Sequence, residues 1–243
     1  DVYKRQVVNP ALALAEMLTA LKDENGAVTI PGFYDRVRPI TDGEREALKA
    51  LPFDDDEFRA ETGAVSLGGE AGYSTLERLW YRPALDVNGM ISGFTGEGAK
   101  TVLPAHARAK VSMRLVPDQD PDEVAELFSK HFRDLAPDGV RVTVKALHGG
   151  WPWAANPESP LFDAAAAALE QAFGREPVYV REGGSIPIVP LFEEIFEGPV
   201  LLLGFAPPGG NAHAPNEWMG LSDYHRGIET IARLYDEVAH KGV

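Results

Sequence analysis

Apolar residues along the chain recur with two periods, and the change between them divides it into elements. Leu12, Leu14, Met17, Leu18 and Leu21 follow a helical period and predict a first helix over about Pro10–Lys22, with Asn9 as cap and Pro10 at its first position. Asp23–Gly26 reads as a turn, Val28–Ile30 as a short strand broken by Pro31-Gly32, and Asp42–Leu51 as a helix. Asp54-Asp55-Asp56-Glu57 lacks the alternating ligands and closing Glu of a calcium loop, so it reads as a solvated helix start. Asp86–Phe94 and Ala107–Val116 predict strands; in the second, Ala109, Val111, Met113 and Leu115 alternate with Arg108, Lys110, Ser112 and Arg114. Asp120 caps a predicted helix over Pro121–Leu135, with Val124, Leu127, Phe128 and Phe132 inward, and Val140–Leu147 alternates again as a strand.

The order strand, helix, strand, strand, helix, strand predicts an α+β sandwich: a four-stranded antiparallel sheet with helices on one face. His148-Gly149-Gly150-Trp151-Pro152 interrupts the pattern and is the expected domain boundary. Beyond it the predicted elements are a helix over Pro160–Phe173, a strand over Pro177–Arg181, a helix over Ile188–Phe196, an unbroken apolar strand over Val200–Phe205, and a closing helix over Ser222–His240 capped by Ser222. That alternation predicts a three-layer α/β segment whose apolar strand is covered on both faces. The fold class is therefore α/β, in two parts. Asp1–Gln6 reads as a non-native scar, and the chain is expected to open in mid-domain, as a fragment.

Composition narrows the functions. The 243 residues carry 37 acids and 23 bases, a formal net charge of −14. A general nucleic-acid binder needs a basic surface, and docking on anionic lipid needs the same, so neither partner is expected. A local basic pocket remains open to a small anion. The absence of cysteine removes disulfides, cysteine–zinc knuckles, iron–sulfur clusters and thiol nucleophiles, and it suits the cytoplasm. The longest apolar runs fall far short of the roughly 20 residues that cross a bilayer.

Three stretches could carry chemistry. His213 lies in Pro207–Glu217, directly after the apolar strand, where α/β sheets gather their ligands; a neutral imidazole there is a candidate zinc ligand. Arg181-Glu182-Gly183-Gly184-Ser185-Ile186-Pro187 follows a strand and opens a helix. Its glycines suit either a plain tight turn or backbone amides aimed at a carboxylate. Ser185 with His213 does not make a hydrolase triad, because the Gly-x-Ser-x-Gly elbow is absent. Thr101 ends a glycine-rich turn, and Arg114 projects from the polar face of the following strand. Such an Arg is either solvated or, with a hydroxyl beside it, a two-point clamp for a carboxylate.

Arg181–Pro187, then His213-Ala214-Pro215-Asn216-Glu217, and Gly98–Pro104 leading to Arg114-Leu115-Val116-Pro117 together resemble the zinc metallopeptidases that include carnosine-type dipeptidases, aminoacylases and glutamate carboxypeptidases. The resemblance runs from Val7 to the end of the chain and is strongest to the dipeptidase branch. It implies a lid or dimerisation domain over 7–148, a homodimer through it, and the C-terminal segment of a catalytic domain over 149–243. It implies a dipeptide or small-amide substrate and two zinc ions, with manganese or cobalt as alternatives. By this resemblance His213 is a zinc ligand that also lies against the substrate. Thr101 and Arg114 bind the substrate carboxylate, Gly184 and Ser185 hold the substrate, and Glu182 shapes their loop. The family's His-x-Asp pair, bridging Asp and Glu-Glu pair find no match here, so the chain alone is expected to be inactive. The other reading is a non-catalytic module that uses the same fold for dimerisation or small-carboxylate binding.

Overall fold

The computed structural model describes residues 3–182, 186–207 and 209–242. It is a mixed α/β protein with helices α1 (Pro10–Thr19), α2 (Asp42–Lys49), α3 (Asp55–Thr62) and α4 (Thr75–Tyr81), then strands β1 (Ala84–Ser92) and β2 (Ala107–Arg114). Helices α5 (Pro121–Asp134), α6 (Pro160–Phe173), α7 (Ile188–Phe196) and α8 (Leu221–Lys241) follow. The chain divides into two units. One takes in the chain up to Asp55 and Val65–Pro152; the other takes in Asp56–Ala64, Trp153–Arg181 and residues from Ile186 onward.

The first unit is built on one apolar cluster. Asn9 accepts from the Ala11 amide at 2.9 Å and starts α1, which buries Ala13 and Met17. Leu12, expected on the inward face, is 63% exposed, because the helix turns Ala13 and Met17 to the core instead. Leu21, Val28, Ile30, Phe33 and Leu85 join Met17, and α5 closes the cluster with Val124 and Phe132. Asp120 caps α5 through the Asp122 and Glu123 amides, as its sequence position predicts. Pro31-Gly32 makes the tight approach: Gly32 has φ +86°, and a Cβ there would lie 3.3 Å from a Leu127 methyl. Buried Gln119 donates to the Phe33 carbonyl at 2.8 Å and accepts from the Val116 amide at 3.0 Å, tying the end of the hairpin to the core.

β1 and β2 pair antiparallel, from Ala84 opposite Arg114 to Ser92 opposite Ala107, with a bulge between Val87 and Gly89. They form the only sheet among the described residues, so the expected four-stranded ladder is not made. Val28 meets Lys22 in an isolated bridge. Val142 and Val144 pack against the core, so 140–147 keeps its alternation without joining the ladder. Alternation reports which side chains face inward; ladder hydrogen bonds need a neighbouring backbone in register as well.

The second unit packs α6 against α8. Ser159, Pro160 and the left-handed Gly174 set the limits of α6, and Ala164, Ala165 and Ala168 let α8 approach closely. Across from them α8 places buried Thr230, whose hydroxyl returns to the Arg226 carbonyl at 2.8 Å. Gly227 admits the Phe205 ring, 3.2 Å from where a Cβ would stand, and Phe205 stacks on Phe173. Ser222 does not cap α8; Gly220 occupies that position without a side-chain bond. Residues 177–181 and 200–205 run without ladder partners among the described residues, so no sheet layer separates the helices of this unit. Leu202 is 51% exposed, so the apolar strand expected to be covered on both faces is half open.

Candidate functional site

In the first unit the chemistry-bearing residues sit on the hairpin. Arg114 is the last residue of β2, on its exposed face, in register with Ala84. Thr101 is exposed in the connection between the strands, where Lys100 lies over the Phe94 ring at 4.8 Å. The start of β1 is held by a stack of side chains two residues upstream. The Arg82 guanidinium lies between the Tyr34 ring, at 4.7 Å, and the Tyr73 ring, at 4.4 Å. It makes a fork of hydrogen bonds to Glu70, at 2.8 and 2.6 Å. Burial pushes the Tyr34 hydroxyl above its ordinary pKa, and that hydroxyl accepts from the Val28 amide at 2.8 Å. Arg78 adds bonds to the Gly68 and Glu70 carbonyls, so the segment before α4 is fastened to that helix.

Sequence reasoning missed this anchor, and it missed α4. The signal for α4 is Ser74-Thr75-Leu76-Glu77, a capping box that the structure forms in full. Glu77 is buried and pairs with Arg45 at 2.8 Å, which joins α4 to α2.

In the second unit His213 is exposed, with φ +61°, in a loop that folds onto itself. Trp218 closes this loop: its backbone amide donates to the Gly210 carbonyl at 3.0 Å and its indole to the Gly209 carbonyl at 3.0 Å. The Gly210 position is crowded, since a Cβ would meet the Pro207 and Trp218 carbonyls at 3.1 Å and one of them would have to shift. Asn211, His213 and Asn216 all adopt left-handed backbone, a local cost of the kind that collects at functional loops. Trp218 thus closes the loop that contains His213, and no spacing rule pointed to it.

Glu182 is exposed, while Gly184 and Ser185 lie outside the described residues. Thr101 and Arg114 thus belong to one unit and His213 to the other. Among the described residues no group of three His, Asp or Glu side chains could hold a metal ion, so these residues do not by themselves fit a zinc centre. A cleft of about 140 Å³ is lined by Ala11, Leu14, Met90, Ile91, Ser92 and Ala107. It has no titratable side chain and is smaller than the roughly 300 Å³ of a small-molecule site.

The profile of the peptidase dimerisation domain matches residues 2–140. The Cys-Gly metallodipeptidase DUG1 of Saccharomyces cerevisiae is 33% identical over 236 residues, 95% of this chain and 49% of its own length. The Beta-Ala-His dipeptidase of Homo sapiens is 30% identical over 233 residues, 95% of this chain and 46% of its own. Among solved structures, an M20 family metallo-carboxypeptidase from Sulfolobus solfataricus superposes with a TM-score of 0.83 at 32% identity, covering 96% of this chain and 53% of that one. The chain belongs to the M20 metallopeptidase family and carries its dimerisation domain. It spans about half the length of the curated relatives it matches. No helix among the described residues is long and apolar enough to cross a membrane.

Proposed function

We propose that the chain supplies the lid domain, residues 7–148, and the C-terminal catalytic segment, residues 149–243, of a cytoplasmic, homodimeric zinc dipeptidase. The observation that carries this reading is the match to metallodipeptidases over 95% of the chain but about half of their length. The metal would be bound when His213 is joined by ligands from the rest of the polypeptide, and it would polarise the scissile amide. The part played by the present residues is recognition. Arg114 offers a planar fork to the substrate carboxylate, with the Thr101 hydroxyl as a second donor, and the loop of Glu182, Gly184 and Ser185 holds the substrate. Trp218 keeps the His213 loop closed before any ligand arrives.

The test is expression of the longer reading frame, followed by hydrolysis of Cys-Gly and β-Ala-His. The longer protein is expected to turn over at least one of them, and the 243-residue chain neither. A charge-assisted pair to a carboxylate contributes roughly 1.5–3 kcal/mol, so Arg114→Ala should cost about 10- to 150-fold in kcat/KM with metal content unchanged. Turnover by the short chain would overturn the fragment reading. An unaltered kcat/KM in Arg114→Ala would overturn the role of Arg114.

A further inference from the structure

Asparagine followed by glycine occurs twice in the chain, at Asn25-Gly26 and Asn88-Gly89. In such a pair no Cβ shields the glycine nitrogen from the asparagine side chain. Both asparagines are exposed, yet their backbones are held very differently. The peptide that links Asn25 to Gly26 is pinned on both sides. The Asn25 carbonyl accepts from the Ala71 amide at 2.7 Å, and the Gly26 amide donates to the Asp23 carbonyl at 3.1 Å. The Asn25 amide in turn donates to the Asp23 carboxylate at 2.9 Å. Gly26 is packed as well, since a Cβ there would stand 2.8 Å from the Gly69 carbonyl oxygen. Asn88 is the extra residue of the β1 bulge. Val87 stands opposite Val111 and Gly89 opposite Lys110, so Asn88 has no partner on β2. Beyond its chain neighbours, no heavy atom lies within 4 Å of a Cβ built at Gly89, which leaves that peptide room to turn.

We propose that the bulge makes Asn88-Gly89 a modification site, at which Asn88 deamidates through a cyclic imide to aspartate and isoaspartate while Asn25 is spared. The Gly89 nitrogen gives up its proton to solvent and attacks Asn88 Cγ. A C–N bond forms, and the side-chain nitrogen leaves as ammonia. Water then opens the imide. Cleavage at Cγ restores the original backbone with an aspartate. Cleavage at the former main-chain carbonyl leaves an isoaspartate, whose backbone runs through Cβ and Cγ and is a methylene longer. The reaction is intramolecular, consumes water and changes no oxidation state. Isoaspartate places that methylene and a negative charge between Val87 and Gly89, where the register of β1 on β2 already shifts. Its free α-carboxyl suits methyl transfer from S-adenosylmethionine, the chemistry of isoaspartyl methyltransferases. The inference does not rest on the dipeptidase reading, because it concerns this chain's own backbone and no hydrolysis of a substrate.

The experiment is ageing of the 243-residue chain in warm, mildly alkaline buffer, followed by peptide mapping and by methyl labelling with an isoaspartyl methyltransferase. Asn88 is expected to convert first and its peptide to take the methyl label. Turning the Asn25-Gly26 peptide breaks two hydrogen bonds, so Asn25 should react roughly 5- to 150-fold more slowly. In urea the two rates should converge, because the sequence at the reacting bond is the same. Gly89→Ala, which the open space accommodates, should slow conversion of Asn88 about ten-fold by crowding the attacking nitrogen. Asn88→Gln should remove the label from this peptide, and backbone amide shifts show that both variants keep the hairpin. Equal rates at the two asparagines in the folded chain, or Asn25 converting first, would overturn the proposal. So would conversion of Asn88 more than about ten-fold slower in the folded chain than in urea, since the bulge would then protect it as a regular ladder does.

Discussion

Arg82→Ala tests the packing logic of the first unit most sharply. The Arg82 and Glu70 side chains are 13% and 15% exposed, so the pair is nearly out of water. Two charge-assisted hydrogen bonds are worth roughly 1.5–3 kcal/mol each before Arg82's own desolvation is charged against them. The Tyr34 and Tyr73 rings add about 0.5–2 kcal/mol each as cation–π partners. Desolvation takes back a large part of that sum, but the alanine variant also strands the Glu70 carboxylate. The net expected loss is about 3 kcal/mol, or roughly 6–12 °C in Tm for a protein of this size.

Companion variants separate the contributions. Arg82→Lys keeps the charge over the rings and loses the fork, so its loss should fall near half that of alanine. Arg82→Met combined with Glu70→Leu removes both charges into an apolar stack and should cost less than either alone. Urea unfolding with a double-mutant cycle reads these values, and amide exchange at Ala84 reports whether the end of the ladder opposite Arg114 loosens with them. A loss under 0.5 kcal/mol for Arg82→Ala, or additivity of the two single changes, would refute the reasoning.

The Arg38–Asp118 pair should make stability pH-dependent. Hydrogen bonding from Arg38 holds the Asp118 carboxyl below its ordinary pKa. The contribution is therefore complete above the ordinary carboxylate range, near pH 4, and is lost as pH falls through the lower folded value. Unfolding of the native chain and of Arg38→Gln should converge in acid; a constant difference down to pH 2 would contradict this. Phe33 is 1% exposed at the centre of the first unit, so Phe33→Ala should cost about 3–5 kcal/mol in urea unfolding, and a loss below 1 kcal/mol would contradict the core assignment.

How legible each part was in the sequence depends on how local its cause is. The limits of α6 could be read residue for residue, because Ser159, Pro160 and Gly174 are start and stop signals that act within one turn. α7 was equally plain from its apolar run. β1 was displaced by two residues, since Asp86 looks like a strand start only if Ala84 and Leu85 are taken for the end of a loop. α8 was misplaced at its cap because Ser222 is the better capping residue by type, while the chain turns at Gly220. The site divides in the same way. Arg114 was legible, since period two alone puts it on the polar face. Trp218 was not, because its two bonds to Gly209 and Gly210 depend on a loop closure that no period announces. The Arg82 stack is less legible still: Tyr34 lies 48 residues upstream, and nothing in either segment names the other. Contacts of this kind decide how firmly the Arg114 hairpin is held, so the sequence points to an exposed arginine more readily than to the packing that fixes its position.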